Sequence, residues 1–486
     1  MENLAQVAIQ NVNLQAIMPS LVLCGFGMVL LLVSVFSQRG KTTHVAWLSI
    51  IALIVTGFIS LTGWNNPQAG FAGSVVLDNF ATFFSLICLL AAGLTILMSD
   101  DYLKREGYPV GEYYPLILFT TAGAMWMASG TDLMTIFLGL EVLSVSLYVL
   151  AGFFRGQTKS NEAGLKYFFL GAFSTGFMLY GVALLYGVTG TTKLDGIAAF
   201  VRSTDGVSTD LMFIAGGLLL LTGFLFKIAA APFHMWTPDV YEGAPTPITA
   251  FMSAGAKAAA IAAFMRVTFV ALEDVQDDLT ALFWVLAVLT MTVGNFIALN
   301  QTNVKRMLAY SSISHAGYAM VGLVAWSDIG FSGILFYMLV YTFMNMGAFA
   351  VLVLVGKQGE ENLTVDGLSG MGYKKPFLGI ALCIFLFSLM GLPPTAGFTG
   401  KFYIFAAAVD SGYIWLAVIG VLNSAVSLYY YLRVMVHMYF KDPQEDFSWV
   451  SINPATAISI IISIAGVLWL GILPGPVMEL AKLAGF

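Results

Sequence analysis

Four charged residues sit deep inside apolar runs of a chain that otherwise avoids charge: Glu141, Lys227, Lys257 and Lys401. An ionisable side chain near a bilayer midplane costs at least about 2.5–3.5 kcal/mol, so it persists where it is paired, hydrated or used. None of the four has an opposite charge three or four residues away, the positions within reach on its own helix. Around Glu141 those positions hold Phe137, Leu138, Ser144 and Val145; around Lys257 they hold Ser253, Ala254, Ala260 and Ile261. Neutralisation must come from another helix or from water. That is the layout of an ion path.

The chemistry these residue types allow is proton relay. Desolvation makes a lysine give up its proton more readily and a nearby carboxylate opposes this, a responsiveness that arginine lacks. Lysines at one depth can therefore hold protons and pass them sideways. Glu141 lies about ten residues into the run that starts near Thr131, roughly 15 Å deep at helical rise, too deep for its short side chain to reach an interface. Lys257 is similarly deep, counted from Pro247. The competing reading of all four is structural: buried ions holding helices together, or lysine stems snorkelling toward an interface.

A tenth apolar segment adds Ser311, His315 and Tyr318 at i, i+4, i+7 spacing, one helix face. His315 titrates near neutrality when unperturbed and is placed to bridge two lysine clusters; the plainer reading is a histidine satisfied by neighbouring hydroxyls. His234 is balanced between loop packing and relay. Arg433 and His437 read as interfacial anchors and Tyr429-Tyr430-Tyr431 as packing or an aromatic belt. Glu162 and Lys166, four apart in the favourable order, read as a structural ion pair. Cys24, Cys88 and Cys383 lie singly in separate apolar segments without metal or iron–sulfur spacing. No strand–GxGxxG–helix pattern exists. The stretch Gly397 to Lys401 fails as a phosphate loop, because Thr395 stands where the first glycine is needed and Phe402 where a hydroxyl is needed. No nicotinamide, flavin, cluster or metal site is expected in this chain.

The elements that carry these residues follow from composition. The chain is 486 residues, 59% hydrophobic and only 10% charged, against about 25% charged in soluble domains. It is an all-α polytopic membrane protein by this reading. No basic run suggests nucleic acid, and no basic stretch precedes the first apolar run to make a signal peptide. Apolar stretches near 20 residues give about fourteen spans, near 17–36, 45–64, 77–98, 113–129, 131–153, 164–188, 211–231, 246–271, 279–299, 304–325, 329–355, 375–409, 411–438 and 453–473. Odd-numbered connections hold Arg39, Lys41, Lys104, Arg105, Arg155, Lys159, Lys305, Arg306, Lys357, Lys374, Lys375 and Lys441. Even-numbered ones hold only Lys193, Arg202 and, at a helix end, Arg266, and the loop from Glu273 to Asp278 carries only acidic charge. Odd connections are therefore expected in the cytoplasm and both termini on the opposite side.

Two segments are interrupted by proline, one at Ala231-Pro232 and one at Leu392-Pro393-Pro394, and each has a lysine within about two turns. Within a membrane such backbone survives where protein or water covers it, and paired broken helices mark a transporter's working site. The breaks fall five segments apart. The expected organisation is one membrane domain over 1–486: helices 1–3 in 1–110, a first repeat of helices 4–8 in 111–273, a second, inverted repeat of helices 9–13 in 274–440, and helix 14 in 441–486.

At these residues the chain resembles a known family. The run from Pro232 to Pro247, PFHMWTPDVYEGAPTP, and the run from Gln301 to Tyr318, QTNVKRMLAYSSISHAGY, are similar to signatures of the subunit N family of proton-pumping NADH:quinone oxidoreductase (respiratory complex I). Gly139-Leu140-Glu141 and Gly397 to Phe402 also fit, and the similarity spans essentially the whole chain. The resemblance implies fourteen helices with two inverted five-helix repeats and broken helices 7 and 12. It implies that Glu141 and Lys227 form the key acid–lysine pair, that Lys257 continues the axis and that Lys401 serves the second half-channel. Sister subunit M typically has Glu at the Lys401 position and subunit L a long C-terminal lateral helix, so subunit N fits best; the plastid-type homologue shares the motifs. NADH, FMN, iron–sulfur clusters and quinone are implied on partner subunits, with neighbouring antiporter-like and small membrane subunits and lipids around this chain in a bacterial inner membrane. Two other functions compete: a subunit of a multi-subunit Na⁺/H⁺ antiporter, distinguished by its co-purifying partners, and a membrane scaffold, which predicts that charge-neutral replacements preserve transport. A solitary solute transporter has no polar cluster to support it.

Overall fold

Backbone amides and carbonyls inside a bilayer must be satisfied within the segment, which leaves helices as the answer for apolar runs of this length. The computed structural model describes residues 12–37, 42–204, 206–444 and 446–485; Glu2, Arg39, Lys41 and Phe486 lie outside them. The long helices are α1 (Met18–Phe36), α2 (Thr43–Ser60), α3 (Asn79–Glu106), α4 (Tyr113–Ser129), α5 (Leu133–Ala151), α6 (Thr158–Thr189) and α7a (Leu211–Ile228), followed by the short α7b (Thr237–Gly243). Then come α8 (Thr246–Ala271), α9 (Gln276–Ala298), α10 (Val304–Val324), α11 (Asp328–Val355), α12a (Pro376–Met390), α12b (Ala396–Asp410), α13 (Ile414–Phe440) and α14 (Pro454–Ile472). A small antiparallel hairpin, β1 (Gln68–Gly70) and β2 (Val75–Leu77), precedes α3.

The expected segments and these helices agree closely, with two differences. α3 runs on to Glu106 and α6 begins at Thr158, because the turns at those ends are polar and escape a hydropathy reading. The stretch 375–409 is in two parts, broken where the prolines predict it. Among the described residues, 11 helices are long and apolar enough to cross a membrane, or 12 if the bent pair Asp366–Lys374 and Pro376–Met390 counts as one span. The expected count of fourteen is thus not reached on length and apolarity alone. α4 has only 17 residues, α10 is interrupted by hydroxyls and a histidine, and α12 is broken into two helices of 15 residues.

Paired features recur between helices 4–8 and 9–13. Asp132 caps α5 through Met134 N and Asn303 caps α10 through Arg306 N. Each cap residue also pairs with the loop after the next helix, Asp132 with Lys193 and Asn303 with Thr364. α7a ends in left-handed Ala229 (φ 62°) and α12a in left-handed Gly391 (φ 87°), and each break holds a cis Xaa–Pro bond. Gly123 lets α4 cross α5 and Gly294 lets α9 cross α10. A Cβ would stand 2.5 Å from Leu143 N at the first and 2.7 Å from Ser314 N at the second.

α8 occupies the centre: every residue from Thr246 to Thr268 is buried. It is not a uniform α-helix, because π turns fall at Met252–Ala256, just before Lys257, and at Val267–Ala271, just after Arg266. Such turns often mark functional sites. The outer helices α1, α2 and α6 expose apolar side chains such as Phe36, Phe58 and Phe173, as a lipid-facing surface does.

Candidate functional site

Lys227 is the penultimate residue of α7a, and the turn at Ala229 leaves it inside the protein rather than at an interface. Its ammonium donates to Ser144 Oγ on α5 (2.9 Å) and to Tyr167 OH on α6 (2.8 Å). Trp236, at the end of the break, stacks on Tyr167 with ring centres 4.6 Å apart and donates its indole N–H to the Phe226 carbonyl (3.0 Å). The interruption therefore packs directly behind the lysine's partner. His234 sits half-buried in the same loop, its carbonyl accepting from Thr237 N.

Glu141 is placed differently from the other three ions. Among the described residues it forms no ion pair with Lys227, so the acid–lysine pair implied by the resemblance is open in this structure. Glu141 is half-buried on a face of α5 that also exposes Leu138 and Val145, and its Oε1 is buried without a hydrogen-bond partner among the described residues. Ser144, one turn along, takes the place at Lys227 that Glu141 was expected to hold.

Lys257, only 2% exposed, donates to the Ser312 carbonyl (2.6 Å) and to Ser312 Oγ (2.5 Å) on α10. His315 lies one turn further along α10. Its Nδ1 shares a hydrogen bond with Tyr337 OH (2.6 Å) and its Nε2 with Tyr431 OH (3.4 Å), which is also bonded to Ser311. His315 touches neither lysine directly; it stands between them. Tyr318 presents its ring to the Lys401 ammonium at 4.6 Å and lies edge-on to the His315 ring at 5.6 Å. Tyr318 OH accepts from Asn295, which in turn accepts from Tyr430 OH (3.0 Å).

Lys401 follows the second break on α12b, 4% exposed. It donates to the carbonyls of Leu389 and Met390 (3.0 Å each), freed where α12a stops, and to Ser424 Oγ on α13 (2.8 Å). An apolar groove lined by Phe398, Phe402, Phe405, Val409 and Ile414 runs from Lys401 toward Asp410 at the far end of α12b.

Of the two readings of the tyrosine run, packing holds for Tyr430 and Tyr431, fully buried members of the polar network that α13 packs against α9 and α10; Tyr429 faces outward. Arg433, half-buried near the end of α13, ties that helix to the end of α9, donating to the carbonyls of Leu299 (2.9 Å) and Gln301. His437 pairs with Asp366 at 3.2 Å. The Glu162–Lys166 pair forms at 2.5 Å, and Lys166 also reaches Asp239 on α7b at 2.7 Å. Arg306 holds Asp239 (2.7 Å) and Glu242 (3.1 Å), so α7b is fastened to α6 and α10 by charge.

A second buried cluster caps the same side. Glu360, in the loop between α11 and α12a, pairs with Lys305 (2.5 Å), accepts from Tyr102 OH (2.6 Å) and is bonded to Thr246 at the start of α8. Burial works to push the Glu360 carboxyl up, but Lys305 and the hydroxyl hydrogen bonds outweigh it and hold the group below the usual glutamate range. Among the described residues no group of three His, Cys, Asp or Glu is placed to hold a metal ion. What the arrangement can do is accept, hold and pass protons: each lysine has a hydroxyl that can receive a hydrogen bond from the ammonium or give one to the amine.

Comparison with known proteins adds to this geometry. The family described as NADH:quinone oxidoreductase/Mrp antiporter, TM, matches residues 130–427. NADH-quinone oxidoreductase subunit N of Trichlorobacter lovleyi is 60% identical over 482 residues, covering 99% of each chain. A chain of respiratory complex I from Thermus thermophilus with bound aureothin is 35% identical with a TM-score of 0.81, over 96% of this chain and 99% of that one. A chain of the Mrp complex from Dietzia sp. DQ12-45-1b shares the fold at 22% identity, TM-score 0.81, over 96% of this chain and 97% of that one.

Proposed function

This chain belongs to the subunit N branch of the NADH:quinone oxidoreductase/Mrp antiporter transmembrane family, and from that premise we propose that its protons travel along the buried line Lys227, Lys257, His315 and Lys401. It is a proton-translocating, multi-span membrane subunit of NADH-quinone oxidoreductase, working beside other membrane subunits of that complex in a bacterial inner membrane. Translocation is this chain's part of the enzyme; oxidation of NADH, with its FMN and iron–sulfur chemistry, and reduction of quinone fall to partner subunits. The odd-numbered connections face the cytoplasm. Helices 4–8 and 9–13 form two inverted repeats, a relation supported by their matched caps, breaks and crossings.

The observation that carries the relay is that three lysines, each buried, are held by neutral groups from other helices rather than by fixed carboxylates. A hydroxyl partner turns over when the lysine loses its proton, so neither state breaks the contact. Lys227 hands on toward Lys257, whose partner Ser312 neighbours Ser311 and His315. His315, between Tyr337 and Tyr431, passes the proton toward Tyr318 and Lys401. Glu141, on the outer face of α5, is where the charge state of a neighbouring subunit acts on Lys227.

The test is NADH-driven quinone reduction with proton uptake in vesicles carrying Lys227→Ala, with assembly followed on native gels. Loss of pumping in an assembled complex is the expected outcome. Wild-type pumping would sink the relay.

A further inference from the structure

The repeats place two arginines in equivalent positions at opposite ends of the molecule. Arg266 lies nine positions after Lys257 on α8, and Arg433 lies nine positions after Ser424, the Lys401 partner, on α13. Arg266 donates to the carbonyl of Ala128 at the end of α4 (3.0 Å), and Arg433 to that of Leu299 at the end of α9 (2.9 Å). Ala128 and Leu299 are separated by the same 171 positions as the caps Asp132 and Asn303 and the crossing glycines Gly123 and Gly294. Because a five-helix repeat reverses direction, Arg266 sits on one face of the membrane and Arg433 on the other.

Each arginine stands at the opposite end of its helix from the polar run or the groove that reaches the adjoining lysine. On α8, Thr246, Thr249 and Ser253 lead from the Glu360 cluster to Lys257, whereas Ala258 to Met265 beyond it are apolar and buried up to Arg266. On the second repeat, the apolar groove at Lys401 runs toward Asp410 and Ile414, away from Arg433, and the buried polar run Ser427, Tyr430 and Tyr431 on α13 ends at Arg433. Arg266 is locked: bidentate to Asp78 (2.9 Å twice) and 4.8 Å over the Phe80 ring. Among the described residues no carboxylate pairs with Arg433, which spends its N–H groups on backbone carbonyls.

A proton wire needs members that accept a proton and give one up. A guanidinium has five donors and no acceptor and stays charged, so it ends a wire and repels an approaching cation. The geometry points to Arg266 and Arg433 as repeat-related proton seals, each closing the blind end of one half-channel so that neither becomes a through-channel. This rests on the translocation reading above and adds to it the residues that prevent slip.

The experiment uses vesicles with the whole assembled complex. A pH gradient is imposed without NADH and its decay followed; NADH-driven pumping is then measured on the same vesicles. Arg433→Gln should decay the gradient severalfold faster than wild type and lower the protons moved per NADH while NADH oxidation holds. Arg433→Lys, which keeps charge and donors, should stay near wild type. For the first repeat, the Asp78→Asn/Arg266→Gln double variant avoids leaving a bare carboxylate and should leak likewise. Tight vesicles with both Gln variants assembled would overturn the proposal, as would a Lys variant that leaks as much as Gln. Failure of both Gln variants to assemble overturns it too, assigning the arginines to folding. The translocation reading falls separately, if Lys227→Ala pumps at the wild-type level.

Discussion

Lys227, Lys257 and Lys401 share a choice of partner, a serine or tyrosine hydroxyl, that keeps this contact usable in both protonation states. Tyr167 is the sharpest test of that choice. Tyr167→Phe keeps the ring that Trp236 stacks on and removes only the hydroxyl under Lys227. A hydrogen bond to a charged group contributes about 1.5–3 kcal/mol, so proton uptake driven by NADH should fall about 10–100-fold with assembly intact; undiminished uptake would remove Tyr167 from the relay. Ser144 was invisible in the sequence for a physical reason. A serine in a helix ordinarily bonds its own preceding turn, as Ser144 Oγ does to Leu140 O (2.5 Å), at no visible cost. A lysine in an apolar run demands an explanation; a serine there does not. Glu360 gives a pH prediction. Its carboxyl is held below its unfolded value, so its contribution is complete above the ordinary glutamate range and is lost as pH falls through that range to the lowered folded value. Thermal unfolding of the purified complex should therefore weaken with acid in that window, and Glu360→Gln should flatten the dependence.

Helices are brought close enough for these contacts by glycine at the crossings. At Gly139 a Cβ would meet Met127 N at 2.8 Å, backbone that cannot yield, whereas at Gly176 on α6 nothing lies within 4 Å. Overpacking a close site costs about 1–3 kcal/mol or more. Gly139→Ala should lower the yield and melting temperature of assembled complex on native gels, and Gly176→Ala should match wild type; equal behaviour of the two would mean that α4 and α5 do not need this contact. The elements themselves were largely legible, since an apolar run of spanning length has one stable form in lipid. The ends were less so. Glu106 at the close of α3 and Thr158 at the start of α6 extend helices beyond the apolar stretch, held by polar contacts that hydropathy does not weigh. Sequence leaves Tyr430 and Tyr431 between packing and an aromatic belt, and only the packing of α13 on α9 and α10 reveals them as buried.

At the scale of the whole molecule, the asymmetry of Lys and Arg predicts which face is which. A cysteine placed at Asp277, in the acidic stretch before α9, should react with an impermeant thiol reagent from outside intact cells, and one at Lys374 only in inverted vesicles. The reverse pattern would turn the molecule over. The positions of the proposed relay were legible because charge in lipid is conspicuous. Its continuity was not, because it depends on which of many ordinary hydroxyls the three-dimensional arrangement brings to each lysine. α8 makes that arrangement unusually sensitive to chain length. The π turn at Met252–Ala256 holds one residue more than an α-helical turn would, directly upstream of Lys257. The wide turn already absorbs that residue, but inserting one further apolar residue there would leave composition, charge and hydropathy almost untouched, yet turn everything downstream by about 100° relative to Thr246. Lys257 would then face away from Ser312 and Arg266 away from Asp78 in one stroke. In the middle of this protein the chemistry is phased by a count, and the reading frame of a helix sets which partners its charges meet.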